Sequence, residues 1–181
     1  MPLDFYSPRA KGDGGALFVS FNSKEETATF SFIAQTGWDT EKKQGSFKGG
    51  TKINVIFNRD ELGGMISALE TRGEFPFYHT FEGVSCSGSL KFYEAGDKRG
   101  FGVIINKGES KVKVGLTLAS AQTLRQYLIF ILHHIFSAIY ARDKKEAEAR
   151  KAAEKAPAAV SDKPEEPPEP EKEKEEDGDL F

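Results

Sequence analysis

Apolar residues alternate with polar ones through most of this chain, and twice the alternation gives way to a spacing of three and four. Leu17–Phe21 (LFVSF) and Ala28–Ala34 (ATFSFIA) have the period of two that puts neighbours on opposite faces of a strand, with Phe30 and Phe32 on one side and Thr29, Ser31 and Ile33 on the other. After a loop, Gly37–Gly45, a third and fourth strand region spans Phe47–Phe57. Near Asn58 the period changes. Asn58 and Glu61 have the N-cap and N3 spacing of a capping box, and Leu62, Met65, Ile66 and Leu69 form an apolar stripe, so the first helix starts there. Gly63 and Gly64 cost it roughly 1 kcal/mol each relative to Ala, leaving it short and dependent on packing, and Gly73 and Pro76 close it. The aromatic-rich FPFYHTFEG opens the second half. Strands follow at Leu90–Tyr93, Gly100–Asn106 and Lys111–Leu118, separated by the turns AGDKRG and NKGES, and a second helix runs from near Ser120 to about Lys145.

The two strand-to-helix passages echo each other. Aligning Lys52 with Lys111 pairs Ile53 with Val112, Val55 with Val114, Phe57 with Leu116 and Asn58 with Thr117, an offset of 59 residues. Each copy is a lysine-flanked glycine turn, an alternating strand, a polar cap and a helix. This predicts a duplicated α+β module. The second helix is apolar almost all round between Leu124 and Tyr140, and one sheet covers only one side of it. Its remaining surface is expected to be buried between protomers.

Charge divides the chain differently. From Ser161 to Phe181 ten Asp or Glu stand against three Lys among four prolines, a net charge of −7; the rest of the chain keeps 22 of the 25 basic and 18 of the 28 acidic residues. A basic body is thus joined to an acidic tail, which has too few apolar residues to offset the entropy of ordering. The expected organisation is an N-terminal arm over 1–15, a binding domain over 16–142 and a disordered acidic tail over 143–181, whose Ala, Lys and Glu beyond Arg142 first form a frayed helical extension before disorder sets in past Pro157. A single cysteine, Cys86, leaves no disulfide framework and suits a reducing compartment. The N-terminus lacks the apolar core of a secretory signal, and Leu128–Ile139 is too short to span a bilayer, so a soluble, intracellular protein without a targeting signal is expected.

Enzyme chemistry finds no support in the motifs. There is no Gly-x-Gly-x-x-Gly after a strand, no P-loop, no His-Glu-x-x-His and no second cysteine to hold a metal with Cys86. His133 and His134 are adjacent on a helix, where side chains diverge by about 100° and do not share a metal. No catalytic residue, metal or cofactor is expected.

Strand faces turned away from the core are more informative. With Val112, Val114 and Leu116 inward, Lys111, Lys113 and Gly115 face out; Lys52 and Asn54 do so in the first copy, and Lys91 and Tyr93 flank Phe92. Lysines among aromatics on a sheet suit unpaired nucleic acid, with ammonium groups on phosphates and rings stacked on bases. The plainer alternative is that edge lysines keep the sheet soluble and prevent edge pairing. Duplex readout would need a helix with an exposed basic face, and neither helix has one. The terminal Asp177, Gly178, Asp179, Leu180 and Phe181 put acidic and apolar groups at the chain end, fit to dock a basic-rimmed apolar pocket on a partner or to compete for the body's basic groove.

Several segments together resemble the Whirly family of single-stranded DNA-binding proteins, whose fold is related to that of the PC4 coactivator. Lys11–Leu17 (KGDGGAL) is similar to the family's Lys-Gly-Lys-Ala-Ala-Leu motif, here interrupted by Asp13; Gly37-Trp38-Asp39 is similar to its Tyr-Asp-Trp segment. Val55–Leu69 resembles its strand-to-helix step, Phe75–His79 its Glu-Phe-Phe-His linker and Leu124–Ala141 its long final helix. The acidic Leu-Phe end resembles the tails of bacterial and T7-like phage single-stranded DNA-binding proteins, which recruit replication and repair enzymes. The resemblance implies an α+β fold of two ββββα repeats forming two packed four-stranded antiparallel sheets, helices assembling a homotetramer, and single strands running along the sheets. The expected function is largely sequence-independent single-stranded DNA binding in replication, recombination or repair, in a bacterial, phage or archaeal cytoplasm or nucleoid; the alternative is an RNA-binding or transcription-regulating module of the same fold. Candidate nucleic-acid contacts are Lys11, Lys48, Lys52, Lys91, Lys107, Lys111 and Lys113 for phosphates and Phe18, Trp38, Tyr78 and Tyr93 for bases. Candidate partner contacts are Asp177, Asp179, Leu180 and Phe181.

Overall fold

A computed structural model describes residues 2–22, 24–81 and 83–155. Its strands are β1 (Leu3–Ser7), β2 (Gly15–Asn22), β3 (Thr27–Ala34), β4 (Gly37–Asp39), β5 (Gln44–Ser46), β6 (Lys52–Phe57), β7 (Glu74–Phe81), β8 (Val84–Ala95), β9 (Lys98–Lys107) and β10 (Ser110–Thr117). Two helices, α1 (Arg59–Thr71) and α2 (Leu118–Lys155), each follow the fourth long strand of a repeat. One antiparallel sheet has the order β1-β2-β3-β6 and the other β7-β8-β9-β10, while β4 and β5 form a separate hairpin. Two ββββα repeats therefore form two four-stranded sheets, and β10 lies against β1, β2 and β3.

The alternating residues decide the faces. Ile53, Val55 and Phe57 of β6 and Val112, Val114 and Leu116 of β10 are all buried, as are Phe30 and Phe32. The duplication also reaches strands where the sequence hides it. Following the pairs across each sheet makes Phe5 and Tyr6 the counterparts of Phe77 and Tyr78, Gly15 of Cys86, Ala34 of Lys107 and Lys52 of Lys111.

Both helices start on the expected polar residues. The Asn58 side chain accepts from the Asp60 and Glu61 amides, and Glu61 Oε2 accepts from the Asn58 amide at 2.9 Å, which completes the capping box. At α2 the Thr117 hydroxyl accepts from the Ser120 amide at 3.1 Å. Gly64 has a packing reason: a Cβ there would meet the Phe75 ring at 2.6 Å, so the helix cost of glycine is offset by close approach to β7. On α2, Ala121, Leu124, Leu128, Ile131 and Ile135 make the buried stripe, while Phe130, Phe136 and Tyr140 stay more than half exposed. The surplus apolar surface expected of this helix is present.

Five expectations change. Residues 1–15 are not simply an arm, because Leu3–Ser7 pair with β2; the alternation of Leu3, Phe5 and Ser7 with polar Asp4 and the amphipathic Tyr6 is short but sufficient beside a partner strand. The loop expected over Gly37–Gly45 contains β4 and the start of β5, and Phe75–His79, likened to a linker, lies within β7. Of the region Phe47–Phe57 only the part from Lys52 is strand. Finally, residues 143–155, grouped with the tail in the domain division, continue α2 as the helical extension expected from their Ala, Lys and Glu. Residues 1–144 make one compact body, and a second unit begins at Lys145. Asp177, Asp179, Leu180 and Phe181 lie outside the described residues.

Candidate nucleic-acid interface

The outward face of the second sheet can be read rung by rung. Lys111, Asn106, Ser87 and Tyr78 form one cross-strand row, Lys113, Ile104, Ser89 and Pro76 the next, then Gly115, Gly102, Lys91 and Glu74, and last Thr117, Gly100 and Tyr93. Five candidate residues, Tyr78, Lys91, Tyr93, Lys111 and Lys113, therefore share one face. Tyr78 is 67% exposed and Tyr93 42%. The Tyr78 hydroxyl lies 2.7 Å from Ser85 Oγ, and that hydrogen bond holds its pKa below the ordinary tyrosine value. The glycines of the third row make room for their neighbours: a Cβ on Gly115 would meet Ser7 Oγ at 3.0 Å, and one on Gly102 would touch the Tyr93 ring at 4.0 Å.

Charge on this face is partly committed. Lys91 Nζ pairs with Glu74 at 2.9 Å and Lys113 Nζ lies 3.8 Å from Asp13, while Lys111 has no ion pair among the described residues. Both pairs are solvent-exposed, where such contacts are worth about 0–1 kcal/mol and yield readily to a phosphate.

The first sheet carries fewer candidates. Its outward rows are Tyr6, Ala16, Ile33 and Lys52, then Asp4, Phe18, Ser31 and Asn54. Phe18 is half-buried and meets the edge of Tyr6, with ring centroids 5.6 Å apart at 89°. The ring presented to solvent is that of Tyr6, 54% exposed, which sequence reasoning missed. Its signal was there: Phe5-Tyr6 repeats Phe77-Tyr78. Trp38 is half-buried on β4 and belongs to neither four-stranded sheet; Lys48 follows β5, and Lys11 sits in the turn before β2, so none of the three is on a strand of either four-stranded sheet.

Where one sheet ends against the edge strand of the other, two clefts form at counterpart positions. The larger, about 400 Å³, has Lys52, Asn54 and Ile56 of β6 on one wall and His79, Thr80, Val84, Cys86 and Lys107 on the other. His79, Cys86 and Lys107 are one rung of the second sheet. Burial pushes the Cys86 thiol up in pKa, against the pull of Lys107. Glu61 Oε1 approaches His79 Nε2 at 3.2 Å from behind. The smaller cleft, about 220 Å³, lies beside Lys111 and Lys113 and is walled by Gly12, Asp13, Gly14, Ala34 and Gln35. There Gly15 takes the place of Cys86, and a Cβ on it would sit 2.6 Å from the Lys113 carbonyl oxygen.

No family model and no curated protein matches the chain. Solved structures do match. The chain is similar to the plant transcriptional regulator PBF-2, at 16% identity over 80% of this chain and 86% of that one with a TM-score of 0.55. It is similar also to WHY1 from Arabidopsis thaliana, at 16% identity over 82% and 92% with a TM-score of 0.56. The chain has the Whirly fold. On the Whirly framework, Lys11–Leu17 runs from the β1–β2 turn into β2, and the exposed apolar residues of α2 lie on its long final helix. Among the described residues no helix is long and apolar enough to cross a membrane.

Proposed function

We propose that this protein binds single-stranded DNA with little sequence preference, as a homotetramer assembled through α2, and protects exposed strands during replication, recombination or repair. The observation that carries the proposal is the outward face of the second sheet, where Lys91, Lys111 and Lys113 alternate with the exposed rings of Tyr78 and Tyr93. Ammonium groups meet phosphates and rings stack on bases, roughly 1–3 kcal/mol per base, with no groove of a duplex required. Lys52, Lys107, Lys11 and Lys48 extend the positive field, and Phe18 and Trp38 support it from positions half withdrawn from solvent. Exposed Phe130, Phe136 and Tyr140 give α2 an apolar surface suited to another protomer. The acidic end, Asp177, Asp179, Leu180 and Phe181, recruits replication or repair proteins and competes with DNA for the basic body. An electrophoretic shift with an unstructured 30-mer, at low and high salt, tests this: binding that weakens steeply with salt is expected, and no binding at low salt would refute it. Deleting residues 177–181 should leave or raise affinity for the strand and abolish capture of partners.

A second reading, an RNA-binding or transcription-regulating module, is favoured by the similarity to PBF-2, a plant transcriptional regulator. Competition between poly-dT and poly-U separates the two.

A further inference from the structure

The rung His79, Cys86 and Lys107 alternates with the Tyr78–Lys111 row and so points to the opposite face of the second sheet, where it meets the outward residues of β6 in the larger cleft. We propose that it seats one nucleotide unit of the bound strand, with the phosphate on the Lys52 and Lys107 ammonium groups and the base against Ile56 and Val84. This rests on the single-strand reading above and adds a defined pocket to it.

A nucleotide asks for three things at once: cations for the phosphate, apolar surface for the base faces and hydrogen-bonding groups for the base edge. The cleft draws them from both sheets. Lys52, Asn54 and Ile56 occupy alternate positions of β6 and so point the same way, about 7 Å apart in succession. The rung His79, Cys86 and Lys107 faces them from three neighbouring strands. Ile56 is 54% and Val84 47% exposed, an unusual amount for aliphatic side chains beside a cavity. Neither Lys52 nor Lys107 has an ion pair among the described residues, unlike Lys91 and Lys113. At about 400 Å³ the space falls within the roughly 300–1,000 Å³ of small-ligand sites. In the counterpart cleft the Asp13 carboxylate lies 3.8 Å from Lys113 Nζ, a lysine whose counterpart in the larger cleft is Asn54, so the anion there is held by a cation the larger cleft does not share.

The experiment uses the full chain and a dT30 oligonucleotide in which 5-iodouracil replaces single thymines, cross-linked by ultraviolet light and mapped to the residue by mass spectrometry. Adducts on His79, Val84 or Cys86 are expected; adducts confined to other residues overturn the proposal. In parallel, Lys52→Ala/Lys107→Ala should lower dT30 affinity about tenfold and reduce the slope of log K against log salt by about 1.4, two phosphate contacts at about 0.7 each. Lys98→Ala, an exposed lysine elsewhere on β9, should stay within about twofold. An unchanged affinity and slope in the double variant also overturns the pocket while leaving single-strand binding intact. Should that variant fail to fold, the cross-link map of the natural chain decides alone. If excess thymidine monophosphate abolishes the adducts as well as dT30 does at equal nucleotide concentration, the cleft is a mononucleotide site and the strand assignment is wrong. Failure of the natural chain to bind dT30 at low salt sinks the underlying reading instead.

Discussion

Two clefts occupy counterpart positions in the duplicated sheets, yet only one of them is available. Beside β6, Lys52 and Lys107 stand without ion pairs around a space of about 400 Å³; beside β10, Asp13 approaches Lys113 and the space is about 220 Å³. The rung His79, Cys86 and Lys107 in the first is Ser7, Gly15 and Ala34 in the second. A missing side chain at Gly15 lets the backbones close, and Ala34 puts no ammonium group at the place of Lys107, so both cations of the smaller cleft, Lys111 and Lys113, come from β10. Duplication thus preserves where a strand edge meets a sheet end, while three side chains and one turn decide whether that meeting place holds an internal anion or an external one.

That contrast can be broken at several levels. The largest effects belong to the shared core. Phe57→Ala should cost about 3–5 kcal/mol in denaturant unfolding, because the ring touches Phe30, Phe77 and His79 at once, and its counterpart change Leu116→Ala about 2–5 kcal/mol. A loss under about 1 kcal/mol at either position would mean that the two sheets do not share one core. Next comes the closed cleft. Gly15→Ala should destabilise by about 1–3 kcal/mol, since the new methyl meets the Lys113 carbonyl, whereas Cys86→Gly at the counterpart position should leave the backbone in place and lose mainly the buried sulfur contact. An unchanged stability in Gly15→Ala would contradict the close approach of β2 and β10 at this position.

Freeing the occupied lysine is a smaller change. Asp13→Asn should raise affinity for dT30 at low salt by about twofold to fivefold, the scale of an exposed ion pair, and the gain should fade at high salt. A loss of affinity would show that Asp13 organises its turn for binding instead of competing with the strand. The smallest effect is on pH dependence. The Cys86 pKa is raised in the folded chain, so the folded state holds this proton more tightly than the unfolded state. Its stabilising contribution is present below the ordinary thiol value of 9.0 and is lost as pH rises through the folded value. Unfolding midpoints measured from pH 8 upward should fall less steeply in Cys86→Ala than in the natural chain.

The repeat was legible where the apolar alternation is strong. Lys52–Phe57 and Lys111–Thr117 announce their buried faces, and Asn58 and Glu61 announce the helix between the repeats. Strand β1 was not legible, because five residues flanked by Pro2 and Pro8 acquire strand character only from pairing with β2. The β4–β5 hairpin depends on Gln35, whose buried amide donates to the Arg9 and Gly37 carbonyls and accepts from the Arg9 amide, tertiary contacts that no local pattern encodes. At the interface, alternation placed Lys91, Tyr93, Lys111 and Lys113 on one face. It had no means of showing that Glu74 and Asp13 engage two of those lysines, nor that Lys52 and Lys107, on different sheets, line one cleft.

The most direct measurement follows dT30 binding by fluorescence anisotropy across a salt series, in the natural chain and in Lys52→Ala/Lys111→Ala, which removes the counterpart lysine from each repeat. If both repeats present phosphate-binding charge, the slope of log K against log salt falls by about 1.4 and affinity drops with it. An unchanged slope, with the variant folded, would contradict the claim that the duplicated strands carry the nucleic-acid contacts.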